Sequence, residues 1–386
     1  MATHDKDAGN RARFAVSRAG FLKGSLGVAA AGFLTACESK SLTAEADSGT
    51  GGVGGAGQFA GGAAYDKAIS QQVAGRTVQL GFTPPALSEF YDEIEHGAWS
   101  QMREYENRFG VKWKWDRAAP AEHSAVETQV STIEDWATKK YTAILVCTAG
   151  DFASMQRVYD LAESRGARIF QFNMPAELWP QEQIKATSTI GYNNTMQAGY
   201  LVGEYLAKQL NGQGKILQIW GLPGHWSTAR NNGFKLAIGR YPGMQIVGNQ
   251  RGDYVRDKAF TAAQNLLQRS PDVNAIYGEN EEMALGAAQA IDQAGLDHWD
   301  GKKGIITIGA DGLKSGYEAI KAGRLTATVD VGPVDQGRLA IQTVFSSLML
   351  GRAVDPIINV PTGVIDKTNA DVSLSYANWA LAQPKY

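Results

Sequence analysis

Seven side chains able to grip a small polar molecule follow closely on apolar runs: Phe90, Tyr91, Asn173, Arg230, Tyr254, Asn280 and Asp311. They bring aromatic, amide, guanidinium and carboxylate groups. That set suits a neutral polyol. Hydroxyl groups both donate and accept, so carboxylates, amides and arginine can each pair with them. The apolar face of a sugar ring packs flat on an aromatic side chain. A phosphate ligand would avoid Asp311 and call for more cations. Trp226, Thr148, Asp151 and Asp330 lie at or near other strand ends and are further candidate contacts. No nucleophile sits beside a base, and no lysine-bearing phosphate loop is present, so an enzyme is not expected. The histidines at 4, 96, 123, 225 and 298 share no ligand spacing, so neither metal nor cofactor is expected.

The loop "GLPGHWSTAR" (221–230) lies between an apolar run and a polar, amphipathic segment. Glycines in that place suggest a phosphate cradle, but the lysine and the spacing are missing. The glycines instead let backbone approach a ligand, with Arg230 as a fork for hydroxyls. Structural roles compete with ligand binding. Asp311 and Asn280 could each cap a following helix, and Arg230 could pair with a carboxylate. Phe90 and Tyr91 are adjacent, so one could enter the core while the other faces the ligand, or both could face it. If Arg230 and Asp311 serve the ligand, alanine at either abolishes ligand-induced stabilisation and leaves the unliganded melting temperature nearly unchanged.

These residues need a scaffold that brings strand ends together. Apolar or alternating runs read as strands at 77–82, 111–115, 143–147, 168–172, 188–192, 215–220, 245–250, 275–279 and 304–310. Helix-length amphipathic stretches separate them, at Ser88–Phe109, Ser124–Thr138, Thr195–Leu210, Lys258–Gln268 and Glu281–Ala294. Alternating strand and helix implies parallel sheets covered on both faces. Roughly 310 residues from Thr77 onward is long for one such sheet, so two lobes are expected. Ligands of such sheets bind beyond the carboxyl ends of the strands. Trp113, Trp115 and Trp136 read as core or sheet-face residues. Trp179 and Trp226 could stack on a sugar or cover a lobe interface. "RGD" (251–253) reads as a strand-end turn, and Cys147 as a buried thiol.

The chain has 386 residues, 44% hydrophobic and 20% charged, with a net charge of −2. No global field favours nucleic acid, and no such partner is expected. The first 64 residues are not fold. Arg11, Arg13, Arg18 and Lys23 form a basic region, followed by a short apolar run at 24–34. "LTAC" (34–37) then places small residues before Cys37, the pattern of an export signal rather than a membrane span. It resembles a bacterial lipoprotein signal with Cys37 as the lipidated first residue. "SRAGFLK" (17–23) resembles the twin-arginine export motif, with Ala19 replacing the second arginine. A glycine-rich tether follows.

The folded part resembles the ribose/galactose-type periplasmic binding proteins, the sugar-receiving subunits of bacterial ABC importers. The resemblance rests on "PDVNAIYGENEEMALGAAQAI" (271–291), "GLPGHWSTARNNGF", "IGADG" (308–312) and "GRLTATV" (323–329). It implies α/β architecture with two doubly wound parallel-sheet lobes joined by a three-segment hinge, closing on ligand. The division is then 1–36 export signal, 37–75 tether, 76–190 plus 332–362 N-terminal lobe, and 191–331 plus 363–386 C-terminal lobe. Phe90 and Tyr91 match the family's stacking pair, and Tyr254 an aromatic wall. Arg230, Asn280 and Asp311 match its sugar-binding arginine, asparagine and aspartate. Asn173 stands where aspartate is usual, Val331 where many members place glutamine, and Met174 where some place arginine. These departures argue for a ligand other than ribose. The resemblance implies a monomer that is periplasmic or on the cell surface, and the lipoprotein-like signal implies a lipid anchor to the membrane at Cys37. Such a monomer takes a monosaccharide or polyol and serves an ABC permease. A receptor for a sugar-like signal feeding a sensor or chemotaxis system is the alternative. A transcription regulator of this fold would need a helix-turn-helix before Thr77, where the export signal and tether stand.

Overall fold

The computed structural model describes residues 62–386, apart from 122, 124, 150–151, 175–185 and 192–193. Cys37, Asp151, Trp179, the export signal and most of the tether lie outside the described residues.

Two six-stranded sheets form the molecule. The first holds β1 (Thr77–Thr83), β2 (Lys112–Arg117), β3 (Ala143–Val146), β4 (Arg168–Phe172), β5 (Ser188–Ile190) and β11 (Ile357–Ile358), in the order β11-β5-β4-β3-β1-β2. The second holds β6 (Gln213–Trp220), β7 (Gly243–Arg251), β8 (Ala275–Gly278), β9 (Ile306–Asp311), β10 (Ala327–Asp330) and β12 (Gly363–Asp366), in the order β12-β10-β9-β8-β6-β7. The central strands are apolar throughout because helices cover both faces; "AILV" of β3 is wholly buried. One pairing departs from the all-parallel expectation. β12, which enters the second sheet as the chain returns from β11, runs antiparallel to β10.

The chain passes between the sheets three times: from β5 to α5 (Asn194–Gln209), from β10 to α10 (Pro333–Val344), and from β11 to β12. α5 packs on α6 (His225–Ile238), and α10 on α2 (Glu89–Phe109). The second contact is backbone to backbone. A Cβ at Gly337 would stand 1.9 Å from the Ile94 carbonyl oxygen, so only glycine lets α10 seat against α2. That seat fixes the helix whose first turn carries Phe90 and Tyr91.

Two segments depart from the sequence-based division. Residues 62–73, expected as tether, form helix α1 (Gly62–Val73). Ile69 and Val73, four apart on one face, are buried against the first lobe, and Asp66 pairs with Arg108 of α2 at 2.7 Å. The C-terminal helix α11 (Ala370–Leu381), expected wholly in the second lobe, packs on α9 (Lys314–Lys321) and also on α2. The tail beyond it joins the first lobe. Tyr386 donates to Glu106 at 2.8 Å, and Arg103 donates to the Pro384 carbonyl at 2.9 Å.

Candidate functional site

The strand ends of the two sheets face each other across a cleft of about 580 Å³, counting its mouth. Phe90, Tyr91 and Asn173 line it from the first lobe. Trp226, Arg230, Tyr254, Asn280 and Asp311 line it from the second.

Phe90 and Tyr91 both reach the cleft, meeting edge to face with ring centroids 5.2 Å apart. Tyr91 also serves the core, its hydroxyl 3.7 Å from the Cys147 sulfur. Opposite them Arg230 donates from Nη2 to Asp311 Oδ1 at 2.8 Å and from Nη1 to the Glu279 carbonyl. Each side chain of the pair is only 7% exposed. Burial pushes the Asp311 carboxyl up, and the guanidinium pulls it back down. Arg230 Nε is buried with no hydrogen-bond partner among the described residues. The carboxylate reading of Arg230 is thus realised, with another cleft residue as the partner. The cap reading of Asp311 is not: the N-cap position of α9 is Leu313, which makes no side-chain cap.

Asn280 realises the cap weighed for it and also lines the cleft. Its Oδ1 accepts from Met283 N at 2.9 Å, capping α8 (Glu281–Gln293), and its amide nitrogen keeps its donors. Asn173 and Tyr254 both hold positive φ, +52° and +63°, as does Asp253 at +55°. Such backbone concentrates where a fold over-determines a functional position. Here Arg251 and Lys258 hold the Asp253 carboxylate at 2.6 and 3.0 Å, fixing the turn that presents Tyr254. The "RGD" is indeed a strand-end turn. The Tyr254 hydroxyl is buried without a partner among the described residues. From α6, Trp226 Nε1 donates 2.9 Å to the Asn173 carbonyl, a hydrogen bond from one lobe to the other.

The glycine loop is fastened by protein rather than by phosphate. Gly221 N donates to Glu279 Oε2 at 2.7 Å, and Asn231 donates to the other oxygen. Burial pushes the Glu279 carboxyl up to about 7.

Two candidates fall elsewhere. Thr148 is fully buried in the first lobe, sharing a 2.7 Å hydrogen bond with the Tyr159 hydroxyl. Asp330 accepts from Tyr317 at 2.8 Å and from Gly332 N at 2.6 Å, so its oxygens serve the turn between β10 and α10. Burial pushes it up to about 6. Asp151 lies outside the described residues. Ser88, Glu89, His123, Glu282 and Leu313 also line the cleft and were missed. The strand-end rule applied to β2 leads to His123, whose imidazole burial pushes down. Ser88 and Glu89 simply precede the aromatic pair. Among the described residues no group of acids, histidines and cysteines is placed to hold a metal, and no helix is long and apolar enough to cross a membrane.

Two α/β lobes, three crossings and a polar–aromatic cleft between strand ends define a two-lobed ligand-binding protein. The chain belongs to the periplasmic binding protein domain family, which matches residues 80–352. It is 30% identical over 234 residues to the ribose import binding protein of Bacillus subtilis, covering 60% of this chain and 71% of that protein. It is 25% identical over 308 residues to the xylitol-binding protein of Mycolicibacterium smegmatis, covering 78% of this chain and 80% of that protein. A periplasmic solute-binding protein of an ABC transporter from Actinobacillus succinogenes, with bound D-allose, superposes with a TM-score of 0.68 at 24% identity, covering 76% of this chain and 99% of that one.

Proposed function

We propose that this chain captures a monosaccharide or polyol between its lobes outside the cytoplasm and delivers it to an ABC permease. One observation carries the reading: an aromatic pair on one lobe faces a buried arginine–aspartate pair and a capped asparagine on the other. A sugar ring lies against Phe90 and Tyr91, while Arg230 Nε, Asn280 Nδ2 and the Asp311 carboxylate take its hydroxyls. Contacts from both lobes favour the closed form, so ligand shifts the population toward it. The cleft performs recognition, not turnover, and needs no cofactor. Asn173, Met174 and Val331 favour a ligand other than ribose.

A thermal-shift screen with pentoses, hexoses, branched sugars and polyols tests this. A true ligand at a hundredfold its Kd adds about 2.7 kcal/mol of stability. No response across the panel, or chemical conversion of a bound sugar, overturns the reading. The anchor is tested separately. Cys37→Ser is expected to move the protein from the membrane fraction to the soluble one, and retention in the membrane would refute lipidation.

A further inference from the structure

α9 begins three residues after Asp311, and its own lobe leaves its first turn incomplete. Glu281 Oε2 and Oε1 accept from Gly312 N and Leu313 N, at 3.2 and 3.0 Å. The next two amides have no acceptor on that lobe in the structure. They donate across the cleft, Lys314 N to Glu93 Oε1 at 2.8 Å and Ser315 N to Glu89 Oε1 at 3.0 Å. Both acceptors sit on α2, one helical turn apart, on the helix that carries Phe90 and Tyr91. A helix N-terminus needs such acceptors.

We infer that Glu89 and Glu93 are the closing latch of the two lobes, capping α9 only when the cleft shuts. They act through lobe position, and the inference rests on the receptor reading above. The latch is built from the same helix as the aromatic pair, so seating a sugar on Phe90 and Tyr91 and capping α9 are one movement.

The latch also carries a proton. Glu93 is fully buried in the shut form, and its Oε2 has no partner among the described residues. It faces Glu89 on its own helix, Asp311 at the end of β9, Asp330 at the end of β10, Glu281 on α8, and Lys314 and Tyr317 on α9. Burial pushes its carboxyl from 4.5 up to about 8; the Lys314 amide pulls it down, and the neighbouring carboxylates push it further up. Opening hydrates it and returns it toward the ordinary value. The shut form therefore holds the proton more tightly, and closing takes one up between those two values. Affinity is highest in acid, falls by at most about tenfold per pH unit on the way to about 8, and is flat above. The protonated carboxyl still accepts at Oε1, so the cap persists.

D-ribose, D-allose and xylitol serve as probes. For whichever binds, the Kd of the native protein is expected to rise at least about tenfold between about pH 5.5 and 8. Glu93→Gln mimics the protonated carboxyl, and its Kd should change less than about threefold over that range. Glu89→Ala and Glu93→Ala should each weaken binding, by up to about tenfold. They should also speed hydrogen exchange at Ser315 and Lys314 respectively while leaving β9 unchanged. Equal pH slopes in native and Glu93→Gln proteins overturn the latch, as does exchange indifferent to both alanines. If none of the three probes binds, that counts against the sugar reading alone. The latch is then read in the ligand-free protein. Protection at Lys314 and Ser315, corrected for chemical exchange, must be greater at about pH 5.5 than at 8, and equal protection overturns it.

Discussion

Arg230→Ala is expected to remove the ligand response and about 3 kcal/mol of stability together. The side chain is not merely waiting for a sugar. Its guanidinium holds the Asp311 carboxylate in a pair 7% exposed on each side, and it also ties to the Glu279 carbonyl. Burial alone would lower the guanidinium's pKa, and Asp311, together with Tyr254 and Tyr277, more than offsets this. Breaking such a pair from one side strands the other charge. Asp311 escapes part of that cost by taking a proton, since burial already pushes it up. The loss therefore falls at the low end of the range for buried pairs. The sequence alone led to a different expectation, an unliganded melting temperature nearly unchanged, because it could not show that two candidate ligand residues are each other's partner. Removing both charges, as in Arg230→Leu with Asp311→Ala, should recover most of the stability and none of the binding. Urea denaturation reads the first effect and ligand-induced thermal shift the second. A single variant as stable as the native protein would show that the pair is uncoupled. A retained ligand response would remove Arg230 from the site.

The cleft was legible in the sequence because a parallel sheet advertises its ligand end. Each apolar run marks a buried strand, and the polar residue just after it must emerge at the carboxyl edge. That rule placed Asn173, Arg230, Tyr254, Asn280 and Asp311 without any knowledge of the tertiary fold. It fails where a strand-end side chain is consumed locally. Asp330 follows the rule in position, yet its oxygens close the hinge turn with Gly332 and bind Tyr317. Thr148 emerges inward, against Tyr159. Helix α1 was hidden because glycine-rich composition outweighs one apolar pair, Ile69 and Val73, whose burial depends on a surface supplied by α2. The caps on α9 could not be read at all. Glu93 is 221 positions from Lys314 and Glu89 is 226 from Ser315, and each looks in sequence like an ordinary solvated charge on an amphipathic helix. Contacts that exist only between closed lobes leave no local pattern.

Gly221→Ala should weaken ligand binding at least about tenfold while costing about 1–3 kcal/mol of stability. Gly221 is not among the glycines with positive φ, so alanine fits its backbone, and the effect comes from the added methyl alone. An ideal Cβ there would stand 2.0 Å from Cζ of Tyr254. The ring cannot retreat by backbone adjustment. Its own φ is +63°, and the preceding Asp253 is held by Arg251 and Lys258. The loop cannot retreat freely either, since Gly221 N is bonded to the buried Glu279 carboxyl. The free direction for the ring is into the cleft, toward His123, whose ring centroid lies 6.0 Å away. There it takes space that a ligand between Arg230 and the Phe90–Tyr91 pair would fill. A double-mutant cycle isolates this contact. In a Tyr254→Ala background, Gly221→Ala should cost almost nothing further in either Kd or urea midpoint, because the atom it strikes is gone. Additive effects would mean that Gly221 accommodates something other than the ring, and that Tyr254 is not the wall that the loop's first glycine exists to admit.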